Sequence, residues 1–140
     1  HRGAQLREAL ADRDDVELHL YDEPELLDTG GGIRQALPYM DGRPFFAMNG
    51  DAFLDDCGTT GALEALERDW DAGAMDMRLL LEPCSAMTLT GTVGDYELYP
   101  DGRARLNPGR QGEYMFTGIR LCDPAIFNDT PKYGAFDFFQ

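Results

Sequence analysis

The sequence predicts an α/β layered domain with a mixed, mostly parallel sheet. Three observations carry that expectation. Helix-like and strand-like periodicities alternate through the first 82 residues, in the order helix, strand, helix, strand, helix, strand. One strand candidate, RPFFAMNGD at 43–51, is a continuous apolar run of the kind buried on both faces under helices. The chain has 140 residues, 43% hydrophobic and 11% aromatic, which suits a single globular domain and not a disordered one.

Taken in order, GAQLREALADR at 3–13 places Leu6, Ala9 and Leu10 on one face and charges elsewhere, as in a surface helix. VELHLY at 16–21 alternates apolar with polar residues and reads as a strand. DEPELLD at 22–28 is a linker into three consecutive glycines. GGIRQALPYM at 31–40 reads as a short helix opening on those glycines, and Pro38 ends or kinks it. After the apolar strand, TTGALEALERDW at 59–70 has a Thr cap and Leu63, Leu66 and Trp70 at helical spacing. MDMRLLLE at 75–82 is the next strand. Beyond it, GDYELYPDGRARLN at 94–107 reads as two short strands around a PDGR turn. YMFTGIRLCD at 114–123 is a last apolar strand, and a short helix follows from Pro124.

The formal charge of −14, from 26 acidic and 12 basic residues, argues against a nucleic-acid partner. It is compatible with a small phosphorylated ligand, because one metal ion or a few backbone N–H groups bind phosphate locally. No apolar stretch reaches the ~20 residues of a membrane-spanning helix, and the first 15 residues carry no signal-peptide core. Cys57, Cys84 and Cys122 are odd in number and far apart, as expected of free thiols in a reducing cytosol. His1 and His19 lack a partner at metal spacing. The acidic stretch 11–17 and the pair Asp55 and Asp56 read as solvated charge, and Trp70, Phe138 and Phe139 as core.

Two stretches could carry chemistry. Thr29 followed by Gly30, Gly31 and Gly32 at a helix start leaves backbone N–H groups unshielded, which suits an anion or a planar base against the backbone. A tight turn needing positive φ is the other reading. The run matches neither a Walker A loop nor the GxGxxG fingerprint. Asn49, Gly50 and Asp51 stand at the carboxyl end of the apolar strand, where open α/β sheets bind ligands. A carboxylate there could hold a hard cation such as Mg²⁺, and an Asn-Gly turn capped by Asp is the alternative.

Together, E-x-x-x-x-D-T-G-G-G-I-x-x-A-L-P from Glu23 and P-F-F-x-x-N-G-D from Pro44 resemble the sugar-1-phosphate nucleotidyltransferases. Within them the sequence is most similar to the N-acetylmuramate-1-phosphate uridylyltransferase and mannose-1-phosphate guanylyltransferase-like branch. YMFTGIRLCDPAIF also resembles that family's Y-x-G-I-x-x-x-x-P-x-x-F segment, so the likeness runs from Glu23 to Phe127. It implies a Rossmann-like nucleotidyltransferase domain, with 1–58 as the rest of a nucleotide-binding half and 59–140 as a sugar-phosphate-binding half.

The resemblance further implies a nucleoside triphosphate and a sugar-1-phosphate as substrates, Mg²⁺ as cofactor, and a nucleotide sugar and pyrophosphate as products. Asp51 would be the catalytic metal ligand. Thr29, Gly30 and Gly31 would lie against base and ribose, and Asn49 and Gly50 would border ribose and metal. Thr117 and Gly118 would line the sugar pocket, with Glu113 and Tyr114 as weaker candidates. The family's LAAGxGTRxxPxTxxxPKP signature, which supplies a catalytic Arg and Lys, is not found here, nor is a clear Glu-Lys-Pro motif. The expectation is therefore a domain incomplete at its N-terminus and inactive as it stands. Two other classes fit the same residues: a non-catalytic nucleotide- or sugar-sensing module, and a metal-dependent glycosyltransferase. Asp51 speaks against the first, and the lack of Asp-x-Asp in NGDAF against the second.

Overall fold

The computed structural model describes residues 2–51, 61–87 and 93–136. His1, Asp55, Asp56, Cys57, the expected cap at Thr59 and Thr60, Phe138 and Phe139 lie outside them. The chain forms two compact units, His1–Gln35 with Pro131–Gln140, and Ala36–Thr130.

In the first unit, α1 spans Gly3–Leu10 and buries none of its residues, as expected of a surface helix. Arg7 ties it to the following segment through an ion pair with Asp22 at 2.7 Å. The strand expected at 16–21 does not form. Alternation makes a segment competent for a sheet, but a strand exists only where another backbone satisfies its N–H and C=O groups. No strand among the described residues pairs with this segment, and Val16, Leu18 and Tyr21 remain exposed. The helix α2, Asp28–Ala36, begins before the glycines, so they form its first turns. A 3-10 turn at Leu37–Tyr39 ends it, with Pro38 where the chain has already left α geometry.

The second unit is built on β1 (Phe45–Met48), α3 (Ala62–Arg68), β2 (Met77–Pro83), β3 (Tyr96–Leu98), β4 (Ala104–Leu106) and β5 (Tyr114–Cys122). Each of these matches a predicted element within a few residues. The short helix from Pro124 is a 3-10 turn, Pro124–Phe127, capped by the Asp123 carboxylate, which accepts from the Ala125 N–H. The PDGR turn closes the β3–β4 hairpin, with the Tyr99 N–H donating to the Arg103 carbonyl and Gly102 at φ 84°.

The expected parallel sheet is corrected by the register. Every ladder among these strands is antiparallel. Cys122 faces Phe45 on one side and Met77 on the other, so β5 lies between β1 and β2. Since β5 opposes both, β1 and β2 run in the same direction with α3 between them in sequence. A β-α-β crossover is present, but its two strands are separated by an antiparallel third. Burial on both faces makes a strand apolar whatever the direction of its neighbours. The apolar run at 45–48 therefore reported position in the sheet and not orientation.

The pleat sends alternate side chains to opposite faces. Leu66 of α3 packs with Ile119 and Leu121 of β5, joined by Phe46, Leu63, Trp70 and Leu80, so the helical spacing of Leu63, Leu66 and Trp70 is the core face expected. The other face buries Phe45, Ala47, Cys122 and Phe127, with the Phe45 and Phe127 rings 6.4 Å apart. Arg120 is also buried there, its guanidinium 5.3 Å from the Phe116 ring centroid.

Candidate functional site

In the first unit, the glycine run is occupied by the chain itself. The Thr29 N–H donates to the Asp28 carboxylate at 2.7 Å, and the Gly30 N–H to the Phe136 carbonyl at 3.0 Å. The Phe136 N–H returns a bond to the Leu27 carbonyl at 3.3 Å. Gly30 and Gly31 are buried. A Cβ at Gly30 would stand 2.3 Å from the Phe136 ring, and one at Gly31 would stand 2.7 Å from the Gly134 carbonyl oxygen. Real contacts do not come that close, so both positions must lack a side chain for residues 134–136 to lie where they do. Positive φ falls on Asp28 (58°) and not on Gly30, Gly31 or Gly32, so a turn needing it is not what the glycines supply. Thr29 stays exposed at the helix start. Nothing in the sequence marks Phe136 as the partner of the glycine run.

In the second unit, Asn49, Gly50 and Asp51 follow β1 and are all exposed. The structure brings Asn49 onto β5, its N–H donating to the Gly118 carbonyl at 2.9 Å. Gly118 is buried with φ 85°, and the neighbouring Thr117 hydroxyl donates to the Leu80 carbonyl at 2.9 Å. Thr117 and Gly118 thus adjoin the Asn49 turn. Glu113 stands just ahead of β5 with its side chain exposed, and its carbonyl accepts from the Cys84 N–H at 2.8 Å. Tyr114 opens β5 itself, half-buried and opposite both Pro83 and Tyr96.

Among the described residues, no group of three or more His, Cys, Asp or Glu side chains converges as a metal cage. Asp51 offers one exposed hard oxygen donor. That suits Mg²⁺, which is commonly held by one or two carboxylates and completes its octahedron with water and substrate phosphates. It does not suit a metal bound entirely by protein.

The buried thiol of Cys122 is a structural group. Burial pushes Cys122 up to about 11, and the charge of Arg120 opposes the shift only in part. Its folded form thus holds a proton that the unfolded thiol, with its ordinary value of 9.0, gives up earlier. The resulting stability is present below pH ~9 and is lost as pH rises towards 11. At pH 8, iodoacetamide is expected to alkylate half-buried Cys84 well before Cys122. Mass mapping of native protein against urea-unfolded protein checks this, and equal native rates would contradict it.

No family model matches the chain. It is 31% identical over 109 residues to the N-acetylmuramate α-1-phosphate uridylyltransferase of Caulobacter vibrioides, covering 76% of this chain and 44% of that protein. It is 30% identical over 129 residues to the enzyme of the same name from Neisseria meningitidis serogroup B, covering 90% and 53%. The chain therefore spans about half the length of the curated relatives it matches. The crystal structure of HddC from Yersinia pseudotuberculosis, complexed with GMP-PN, superposes with a TM-score of 0.68 at 22% identity, over 99% of this chain and 60% of that one. That likeness shows a shared α/β fold. Two relatives that match most of the chain, together with the shared fold, support the sugar-1-phosphate nucleotidyltransferase family for it.

Proposed function

We propose that the protein transfers a nucleoside monophosphate from a nucleoside triphosphate to a sugar-1-phosphate, with UTP and N-acetylmuramate-1-phosphate as the preferred pair. The observation that carries this reading is the 30–31% identity to two uridylyltransferases over 76% and 90% of the chain. A mannose-1-phosphate guanylyltransferase-like pair is the next in order.

In that reading a sugar-phosphate oxygen attacks the α-phosphorus in line and pyrophosphate leaves. Little covalent work falls to the protein, so positioning and charge neutralisation dominate. Asp51 would hold Mg²⁺, which when bound would neutralise the phosphate charge. Asn49 and Gly50 border the ribose, and Thr29, Gly30 and Gly31 lie near the base. Thr117, Gly118 and Glu113 belong to the sugar side. Because the Gly30 N–H already serves Phe136, contact with the base there falls to Thr29 or to movement of residues 134–136.

A panel of nucleoside triphosphates and sugar-1-phosphates, assayed by pyrophosphate release on the full-length protein, tests the proposal. UTP with N-acetylmuramate-1-phosphate is expected to give a kcat/KM ~10-fold or more above the other pairs. Nucleotide binding without pyrophosphate release from any pair would point to a sensing module instead.

A further inference from the structure

The register of β5 breaks at the residues assigned to the sugar side. Leu79 of β2 faces Arg120 and Leu81 faces Phe116, so Thr117, Gly118 and Ile119 stand where β2 has only Leu80. Extra residues in one strand force a bulge, and bulges next to active sites re-aim side chains. Gly118 takes the left-handed φ of 85° that the bend requires. The Thr117 hydroxyl donates to the Leu80 carbonyl at 2.9 Å, engaging an acceptor where the ladder is interrupted.

On its other edge the bulge meets the end of β1. The ladder runs through Met48 opposite Ile119, and the Asn49 N–H then donates to the Gly118 carbonyl. A Cβ on Gly118 would lie 2.9 Å from Asn49 Nδ2 and 3.0 Å from its Cβ and Cγ. The Asn49 side chain therefore rests on the face of Gly118 that a side chain would fill.

We propose that Thr117 and Gly118 are positioning residues: the bulge they form fixes the Asn49 carboxamide, and through it the Asn49–Asp51 turn. The functional half rests on the nucleotidyltransferase reading, and the geometric half stands without it. Thr117→Val keeps the shape of the side chain but removes the hydroxyl, leaving the Leu80 carbonyl short of a donor. Gly118→Ala strains the backbone and drives a methyl into Asn49.

The test uses full-length protein labelled with ¹⁵N-asparagine, the Asn49 side-chain amide being assigned by its loss in Asn49→Ala. Thr117→Val and Gly118→Ala are expected to move that resonance, and Thr117→Ser to leave it in place. In turnover, Thr117→Val is expected to lower kcat ~10-fold, with the KM for sugar-1-phosphate unchanged. An Asn49 resonance unmoved in Thr117→Val would overturn the proposal, as would a rise confined to the sugar-1-phosphate KM. If Gly118→Ala fails to fold, Thr117→Val against Thr117→Ser still decides. If the wild type makes no nucleotide sugar, the functional reading fails while the resonance shift still decides whether the bulge positions Asn49.

Discussion

Asp51→Asn is expected to lower the divalent-cation-dependent turnover of the full-length protein by ~10³-fold or more while leaving its melting temperature within about 2 °C. Asp51 is exposed just beyond β1, so its replacement takes nothing from the core. Asparagine keeps a carbonyl oxygen at nearly the same place and removes the negative charge. The loss would therefore report charge on a metal ligand and not shape. Raising the Mg²⁺ concentration is expected to recover part of the activity, because the missing ligand weakens the ion before it abolishes the geometry. Full activity in Asp51→Asn, measured by pyrophosphate release, would remove Asp51 from the metal.

Gly30→Val is expected to act through stability. Its Cβ alone would enter the Phe136 ring at 2.3 Å and approach the Phe136 carbonyl at 2.7 Å. Overpacking of this kind costs about 1–3 kcal/mol, and two further methyls place it at the upper end. The bonds between Gly30, Phe136 and Leu27 give the site a direct readout. Amide exchange at Phe136 should accelerate in Gly30→Val far more than exchange at Ile119, which is in the other unit. Phe136→Ala in the Gly30→Ala background should restore part of the loss, since it removes the ring but not the carbonyl. Unchanged protection of Phe136 in Gly30→Val would mean that residues 134–136 do not dock there. A bulky residue at Gly31 meets the Gly134 carbonyl in the same way and is expected to lower stability, and at equal folded fraction to weaken nucleotide binding more than sugar-1-phosphate binding. Equal effects on both would count against placing the base at that turn.

These two cases show what could be read from the sequence and what could not. Local pattern was legible: α3 with Leu66 inward, the hairpin around PDGR, and strands at Phe45–Met48 and Tyr114–Cys122 follow from periodicity and turn chemistry. Pairing was not. The direction of β1 depends on β5, some 70 residues later, and nothing within FFAM encodes it. The same reason explains 16–21, whose alternation is real but which finds no partner strand among the described residues. At the site, the motifs marked the turn after β1 and a segment of β5, but neither the bulge in that strand nor the contact between the two. That Asn49 rests on Gly118 depends on a register across two strands, and that Phe136 covers Gly30 depends on a return of the chain over 100 residues later. Glycine thus has a steric reason at both sites. At 118 it gives a left-handed bend and room for a side chain, and at 30 and 31 close passage of the backbone.

The central claim is the transfer reaction itself, and ³¹P NMR of the full-length protein with Mg²⁺, UTP and N-acetylmuramate-1-phosphate tests it most directly. The expected spectrum loses the three UTP resonances and the sugar monophosphate together, and gains pyrophosphate and the paired signals of a diphosphate diester in equal amounts. Inorganic phosphate and UDP without a diester, or a UTP spectrum unchanged over hours, would contradict it.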